Sequence, residues 1–377
     1  MRKSFDVIVV GAGIVGLALA RSHAVRGRRV LVVDREDRAV GASIRNFGLV
    51  WPVGQTPGVR FERARQSARI WSELAGETGL ELRPTGSLTL AHSELELRVL
   101  REFATDFGHG VELLDPVEAC RRSPAVRPDR LVGAMFSPHE HTVNPRTAPA
   151  AIQGWLRERA GVEFRFGLVA TRVEPGVVMF ADGDRAEADQ VFVCSGPDLR
   201  TLFPRELAAA GVTVCKLQML RTGPQPEDWR LGPALCAGLT MAHYDSFASC
   251  PALGELKRHF ATARAEEMRW GIHVLVSQNG DGGLTLGDTH EYGATHTPFQ
   301  REDLDRLVLA YLEEFAQLPV RDIQERWTGY YSKIPGRSEL FLSPAPGVTL
   351  VNALGGAGMT LSFGLAEEIV AVGAPLV

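Results

Sequence analysis

Lysine is almost missing from this chain: it occurs only at Lys3, Lys216, Lys257 and Lys333, which leaves 37 of the 41 basic residues as arginine. We read that imbalance as coding bias and not as a binding surface. Positive charge is not in excess either. The 45 acidic residues bring the formal net charge to −4, which argues against nucleic acid held by bulk charge. Cysteine is sparse as well. Cys120, Cys194, Cys215, Cys236 and Cys250 are odd in number and widely spaced, with no CxxC pair, which indicates neither a disulfide framework nor a zinc knuckle and fits a reduced, cytoplasmic setting. No stretch approaches the roughly 18 uninterrupted apolar residues of a membrane helix, so no transmembrane span is expected. Arg2 and Lys3, followed by an apolar stretch to Ala18-Leu19-Ala20, imitate a secretory signal. Asp6, Gly11, Gly13 and Gly16 interrupt it, and we read the segment as structural. HExxH and GxSxG are both absent, so metal-dependent and serine hydrolase readings find no motif to stand on.

Glycine, by contrast, is abundant, with 39 in 377 residues where about 7% is usual. Its placement carries the argument. Residues 6–10 (DVIVV) read as a buried parallel strand. GAGIVG follows, Gly11 to Gly16, and opens a helical pattern that stops at Gly27. A second strand, residues 29–33, ends at Asp34. This is the arrangement that binds a dinucleotide: glycines allow a tight turn, close approach of the diphosphate and close packing of helix on strand, while the acidic residue meets a ribose. The motif alone does not separate FAD from NAD.

The length suggests two to three domains at about 150 residues each. Beyond Asp34, residues 41–58 are glycine- and proline-rich, too irregular for a helix and too long for an ordinary loop. A helix is expected over about 60–76, strands SLTLAH and GAMFSP flank a helix near 94–107, and an α/β pattern returns from 142 to 211. Strands dominate from Val212 to about Trp327, including GIHVLVSQNGDGGLTLGDTH. The chain then runs through a strand (VTLVNAL), a glycine turn (GGAGMT) and an apolar helix. Bare N–H groups at that last turn suit a group that becomes anionic during a reaction, although a simple tight junction explains the turn equally well.

With GAGIVG and Asp34, GAS (Gly41 to Ser43), CSGP (Cys194 to Pro197), CKLQ (Cys215 to Gln218), LTLGDT (Leu284 to Thr289) and LGGAGMTLSFG (Leu354 to Gly364), the sequence resembles the FAD-dependent amine and amino-acid oxidases of the D-amino-acid oxidase superfamily. In layout it is nearest to glycine oxidase and sarcosine oxidase. RNFG (Arg45 to Gly48), RWGIH (Arg269 to His273) and RWTGYY (Arg326 to Tyr331) look like a bacterial subgroup associated with phosphonate catabolism. The resemblance implies an α/β fold: a Rossmann-like, glutathione-reductase-like FAD-binding domain (1–83, 142–211 and 328–377) with an interleaved β-rich α+β substrate domain (84–141 and 212–327). It implies FAD held non-covalently by Gly11, Gly13, Ile14, Val15, Gly16, Asp34, Arg35, Ser43, Ile44, Arg45, Val169, Ser195, Gly196, Gly355, Gly356, Ala357, Gly358, Met359 and Thr360. Trp327 stands where some sarcosine oxidases attach FAD through cysteine. The arginine that relatives carry near Tyr331, and the lysine that others carry at Thr360, are missing.

The expected activity is oxidation of the C–N bond of a small anionic amine (an amino acid, an N-methylated amine or an aminophosphonate) by hydride transfer to flavin N5. Imine hydrolysis would follow, with oxygen or another electron acceptor completing the cycle. A nicotinamide-dependent dehydrogenase and a flavin-binding sensor or subunit without turnover are the alternatives. Within GIHVLVSQNGDGGLTLGDTH, reflection about position 281 sets His273 beside His290 across a hairpin. The two read either as a structural pair or as groups that bind the substrate anion and keep the amine neutral. Arg45 reads either as an anchor for a carboxylate or phosphonate or as one surface arginine among 37, and Lys333 and Arg337, which follow the strand ending at Tyr331, read equally as replacements for the absent arginine clamp or as surface residues. Leu286-Gly287-Asp288 imitates a monooxygenase signature and is set aside, since no second nucleotide-binding turn follows it.

Overall fold

The strands Phe5–Val10 and Val30–Val33 are mostly buried and rich in β-branched residues, and they pair in parallel at the centre of an eight-stranded sheet. In this computed structural model, residues 5–107 and 109–372 are described; Arg2 and Lys3, and residues 373–377 at the end of the expected FAD-binding unit, lie outside them. The sheet runs in the order Ala170–Glu174, Val177–Phe180, Arg185–Val193, Phe5–Val10, Val30–Val33 and Glu163–Arg165, with Val348–Asn352 also on Arg185–Val193 and Leu340–Ala345 antiparallel to it. Strands near residues 10, 190 and 350 are thus neighbours. The helices Ile14–Ala24, Val59–Thr78, Ala148–Glu158 and Gly358–Val372 pack together beside this sheet through a shared apolar core that includes Leu17, Trp71, Ile152 and Phe363.

A second sheet has nine strands. Its order is Glu291–Gly293, Thr213–Pro224, Gly283–Gly287, Leu275–Gln278, Ala234–Cys236, Ser87–Ala91, Gly133–Ser137 and Glu112–Leu114, and Ile323–Lys333 also pairs with Thr213–Pro224. That last strand crosses the expected 327/328 boundary and is hydrogen-bonded to its neighbour from Lys333 back to Ile323. A small sheet of Leu49–Val50, Leu82–Arg83 and His141–Val143 also forms. The segment 41–58 is ordered into two short 3-10 turns, Ala42–Ile44 and Pro52–Gly54, around its strand. The helix expected over 60–76 extends over Val59–Thr78 and closes on Gly79 in the left-handed region. No helix among the described residues is long and apolar enough to cross a membrane.

Candidate active site

Gly11 and Gly16 bring the first strand, the first helix and a distant strand end together. Gly11 has φ +107°, and a Cβ there would lie 2.4 Å from the Cys194 carbonyl oxygen; a Cβ on Gly16 would lie 1.9 Å from the Gly11 carbonyl. Only glycine fits either place. The turn between them aims its N–H groups at two side chains. Ala12 donates to Asp34 Oδ2 at 2.6 Å and Ile14 donates to Ser43 Oγ at 2.9 Å, while the Glu36 N–H holds Asp34 Oδ1 at 3.0 Å. Each carboxylate oxygen keeps a lone pair, so Asp34 is fixed in orientation yet still able to accept from a ribose hydroxyl. Arg35 pairs with Asp198.

Asn352 ties three chain segments at the other side. Its amide donates to Ser195 Oγ and the Gly196 carbonyl, both at 3.1 Å, and its oxygen accepts from the Ala353 N–H at 2.6 Å and from the Ser332 hydroxyl. Gly355–Ala357 then forms a 3-10 turn that runs into the helix Gly358–Val372. Thr360 Oγ1 is used within the protein, accepting from the Trp51 N–H at 2.9 Å, and the Met359 carbonyl accepts from Trp71 Nε1 at 2.8 Å.

One cavity of about 540 Å³ touches both of these regions. Gly11, Gly13, Ile14, Val15, Gly16, Asp34, Arg35, Ser43 and Arg45 line it from the N-terminal side, with Val169, Ser195, Gly196 and the run Gly355 to Thr360. Ile44, expected among them, sits in the Ala42–Ile44 turn and is not part of the lining. The glycine cradle, the clamped acid and the helix-initiating turn fit the diphosphate, ribose and ring of a flavin dinucleotide.

The same cavity is bounded by His273, His290, Tyr331, Lys333 and Arg337. The hairpin Leu275–Gln278 with Gly283–Gly287 has Leu275 opposite Gly287, and the His273 and His290 rings stack 5.1 Å apart. Sequence reasoning missed their companions. His243, at the end of the helix Gly238–His243, stacks on His273 at 3.7 Å and lies 4.7 Å from His290. Asp288, from the discounted Leu286-Gly287-Asp288, faces His273 Nε2 at 3.5 Å and His290 Nε2 at 3.9 Å. Burial pushes His290 down to about 4, holds His243 and His273 well below the ordinary imidazole range, and raises Asp288 well above the carboxylate range. All three rings are therefore neutral near pH 7, which disfavours the cationic form that the expected anion-binding role would use. Arg45 Nη1 donates to the Thr328 carbonyl at 3.2 Å, and Lys333 Nζ lies 5.6 Å from the Tyr292 ring centre. Neither has a carboxylate within ion-pair distance among the described residues.

Residues 6–372 match the DAO family, described as FAD dependent oxidoreductase. The chain belongs to this family. Among its relatives, one of the opine oxidase subunits of Rhizobium meliloti is 24% identical over 345 residues, covering 87% of this chain and 82% of the relative. Glycine oxidase from Bacillus licheniformis is 28% identical over 215 residues, covering 54% and 57%. Among solved structures, L-proline dehydrogenase from P. horikoshii has a TM-score of 0.79 at 18% identity over 99% of this chain and 95% of that one. Glycine oxidase from Geobacillus kaustophilus has a TM-score of 0.75 at 20% identity over 98% and 94%. At these identities the structures show the shared fold. As a DAO-family protein the chain is an FAD-dependent oxidoreductase, and the nicotinamide alternative gives way.

Proposed function

We propose that this enzyme oxidises the C–N bond of a small amine that also carries an anionic group. The observation that carries the reading is the cavity in which the dinucleotide cradle meets Arg45 and Lys333, two cations with no carboxylate partner among the described residues, and the neutral imidazoles of His273 and His290. Relatives named for oxidising glycine, sarcosine and opines support the amine class. FAD, held by the residues from Gly11 to Gly16, Asp34, Ser43 and Gly355 to Thr360, supplies two-electron redox chemistry when bound.

Arg45 and Lys333 would draw in the anionic end by charge-assisted hydrogen bonds. His273 and His290, kept uncharged by burial, would surround the substrate nitrogen with neutral groups and favour its neutral form, the ammonium proton leaving to water, as loss of hydride from its carbon requires. Tyr331, whose hydroxyl burial keeps protonated, is placed to orient the substrate. The imine product would then hydrolyse in water. Oxygen or another acceptor would restore the enzyme, and a cytoplasmic setting fits five free cysteines.

The test is an anaerobic screen of amino acids, N-methyl amino acids and aminophosphonates against the FAD-loaded protein. Bleaching of the flavin band by at least one anionic amine is expected. If dithionite bleaches the band and no amine does, the reading fails and a flavin-binding protein without turnover takes its place.

A further inference from the structure

We infer that His243, His273, His290 and Asp288 form a divalent-metal site at the wall of the cavity, and that the metal, expanding from four ligands to five, receives the anionic end of the substrate. One donor nitrogen from each of the three histidines lies within 4.8 Å of the others. Asp288 adds a carboxylate, with Oδ1 3.5 Å from His273 Nε2 and Oδ2 3.9 Å from His290 Nε2. These separations decide between two kinds of contact. A charge-assisted hydrogen bond between such groups is about 2.8 Å long, so acid and imidazoles face one another without bonding. Two ligands at about 2.0–2.1 Å from a tetrahedral metal are themselves about 3.4 Å apart. The His273–Asp288 gap already has that size, and the other ligands reach it by side-chain rotation, above all by the half-buried His243.

The protonation pattern agrees. The Nδ1–H of His290 donates to the Gly271 carbonyl at 2.9 Å, which fixes the ring and leaves the Nε2 lone pair directed at the cluster, the usual support for a metal-bound histidine. His273 Nδ1 and Asp288 Oδ1 are buried with no hydrogen-bond partner. Unsatisfied buried polar atoms are costly, and a cation bound by the carboxylate would relieve one of them. Three imidazoles and a carboxylate suit Zn²⁺ best, then Fe²⁺, Co²⁺ or Ni²⁺, and do not suit Mg²⁺ or Ca²⁺. With Lys333 also lining the cavity, the loaded pocket would carry excess positive charge. A bound substrate anion would neutralise it, reaching the metal at one oxygen and Arg45 and Lys333 at another. Only that last role rests on the proposed amine oxidation; the metal itself does not.

The experiment measures metal per chain and FAD per chain in protein incubated with ZnCl₂ and then desalted, using elemental analysis and absorbance. About one zinc per chain is expected, falling at least tenfold in His273→Ala and His290→Ala while FAD stays at its wild-type level. His243→Gln, at a half-buried position, serves if either variant loses FAD. Zinc below about a tenth of an equivalent in the wild type, or zinc undiminished in the histidine variants, overturns the site. Flavin bleaching by amines in protein that binds no zinc would sink the metal and leave the oxidase reading standing. Stoichiometric zinc with no bleaching amine would do the reverse.

Discussion

A single methyl group at position 16 would meet the Gly11 carbonyl at 1.9 Å, so the first helix cannot pack at its present distance from the turn in Gly16→Ala. The expected outcome is protein with little or no FAD under conditions that saturate the wild type, measured by flavin absorbance. FAD-replete protein would show that the helix can retreat without spoiling the cradle. His273→Ala and His290→Ala should behave oppositely, with FAD bound and turnover reduced by about tenfold or more, the effect of one pKa unit in the substrate amine. Unchanged turnover in both would remove them from the chemistry. These two histidines were legible because hairpin partners follow from counting through a turn rich in glycine and asparagine. His243 was not. It arrives from a separate helix by tertiary packing, in the segment MAHYDS, and nothing in its spacing marks it. Asp288 was visible, but its short signature pointed to a different flavoprotein chemistry. Asn352 gave no signal, since its partners Ser195 and Ser332 belong to other parts of the chain.

The crossing of the helices Val59–Thr78 and Gly358–Val372 is as tight as the nucleotide turn. A Cβ on Gly364 would lie 2.3 Å from the Arg63 carbonyl oxygen, and the Gly364 N–H donates to Ser67 Oγ at 2.8 Å. Beside it, the buried Arg63 guanidinium is gripped by Glu339 at 2.8 Å and Glu368 at 2.7 Å. Gly364→Ala should therefore destabilise the protein by about 1–3 kcal/mol, the usual cost of forcing a group into a packed interface. Denaturant unfolding measures this, and an unchanged midpoint would mean the helices separate freely. Elements of this kind were readable where periodicity and punctuation coincide, as in Phe5–Val10 with its glycines or Glu94–Phe107 with its apolar stripe. The extent of Ile323–Lys333 was not, because a strand paired to Thr213–Pro224 along its length obeys its neighbour and not its own composition.

Across the whole molecule, two buried groups give stability opposite pH slopes. Burial, then the nearby Arg28 and Arg26, pushes His23 down to about 4 from 6.5. Its contribution is complete above pH 6.5 and is lost as pH falls through 4, at up to about 1.4 kcal/mol per pH unit. Burial raises Glu140 to about 7 from 4.5, against hydrogen bonds from the Val53 N–H and the Ser87 hydroxyl, both at 2.9 Å. Its contribution is complete below 4.5 and is lost as pH rises through 7. Unfolding free energies across pH 4–8 should show His23→Leu gaining on the wild type toward acid and Glu140→Gln gaining on it toward neutrality. Parallel curves would contradict both shifts. The strand order carries a different consequence, one of timing. Arg185–Val193 lies between Phe5–Val10 and Val348–Asn352, so about 340 residues of synthesis, roughly 20 to 70 seconds at the usual speed of a ribosome, separate the first wall of the flavin cavity from the last. Until then the nascent chain has an unfinished sheet and no complete place for its cofactor, so FAD can take up its full set of contacts only once Val348–Asn352 and the turn after it have left the ribosome.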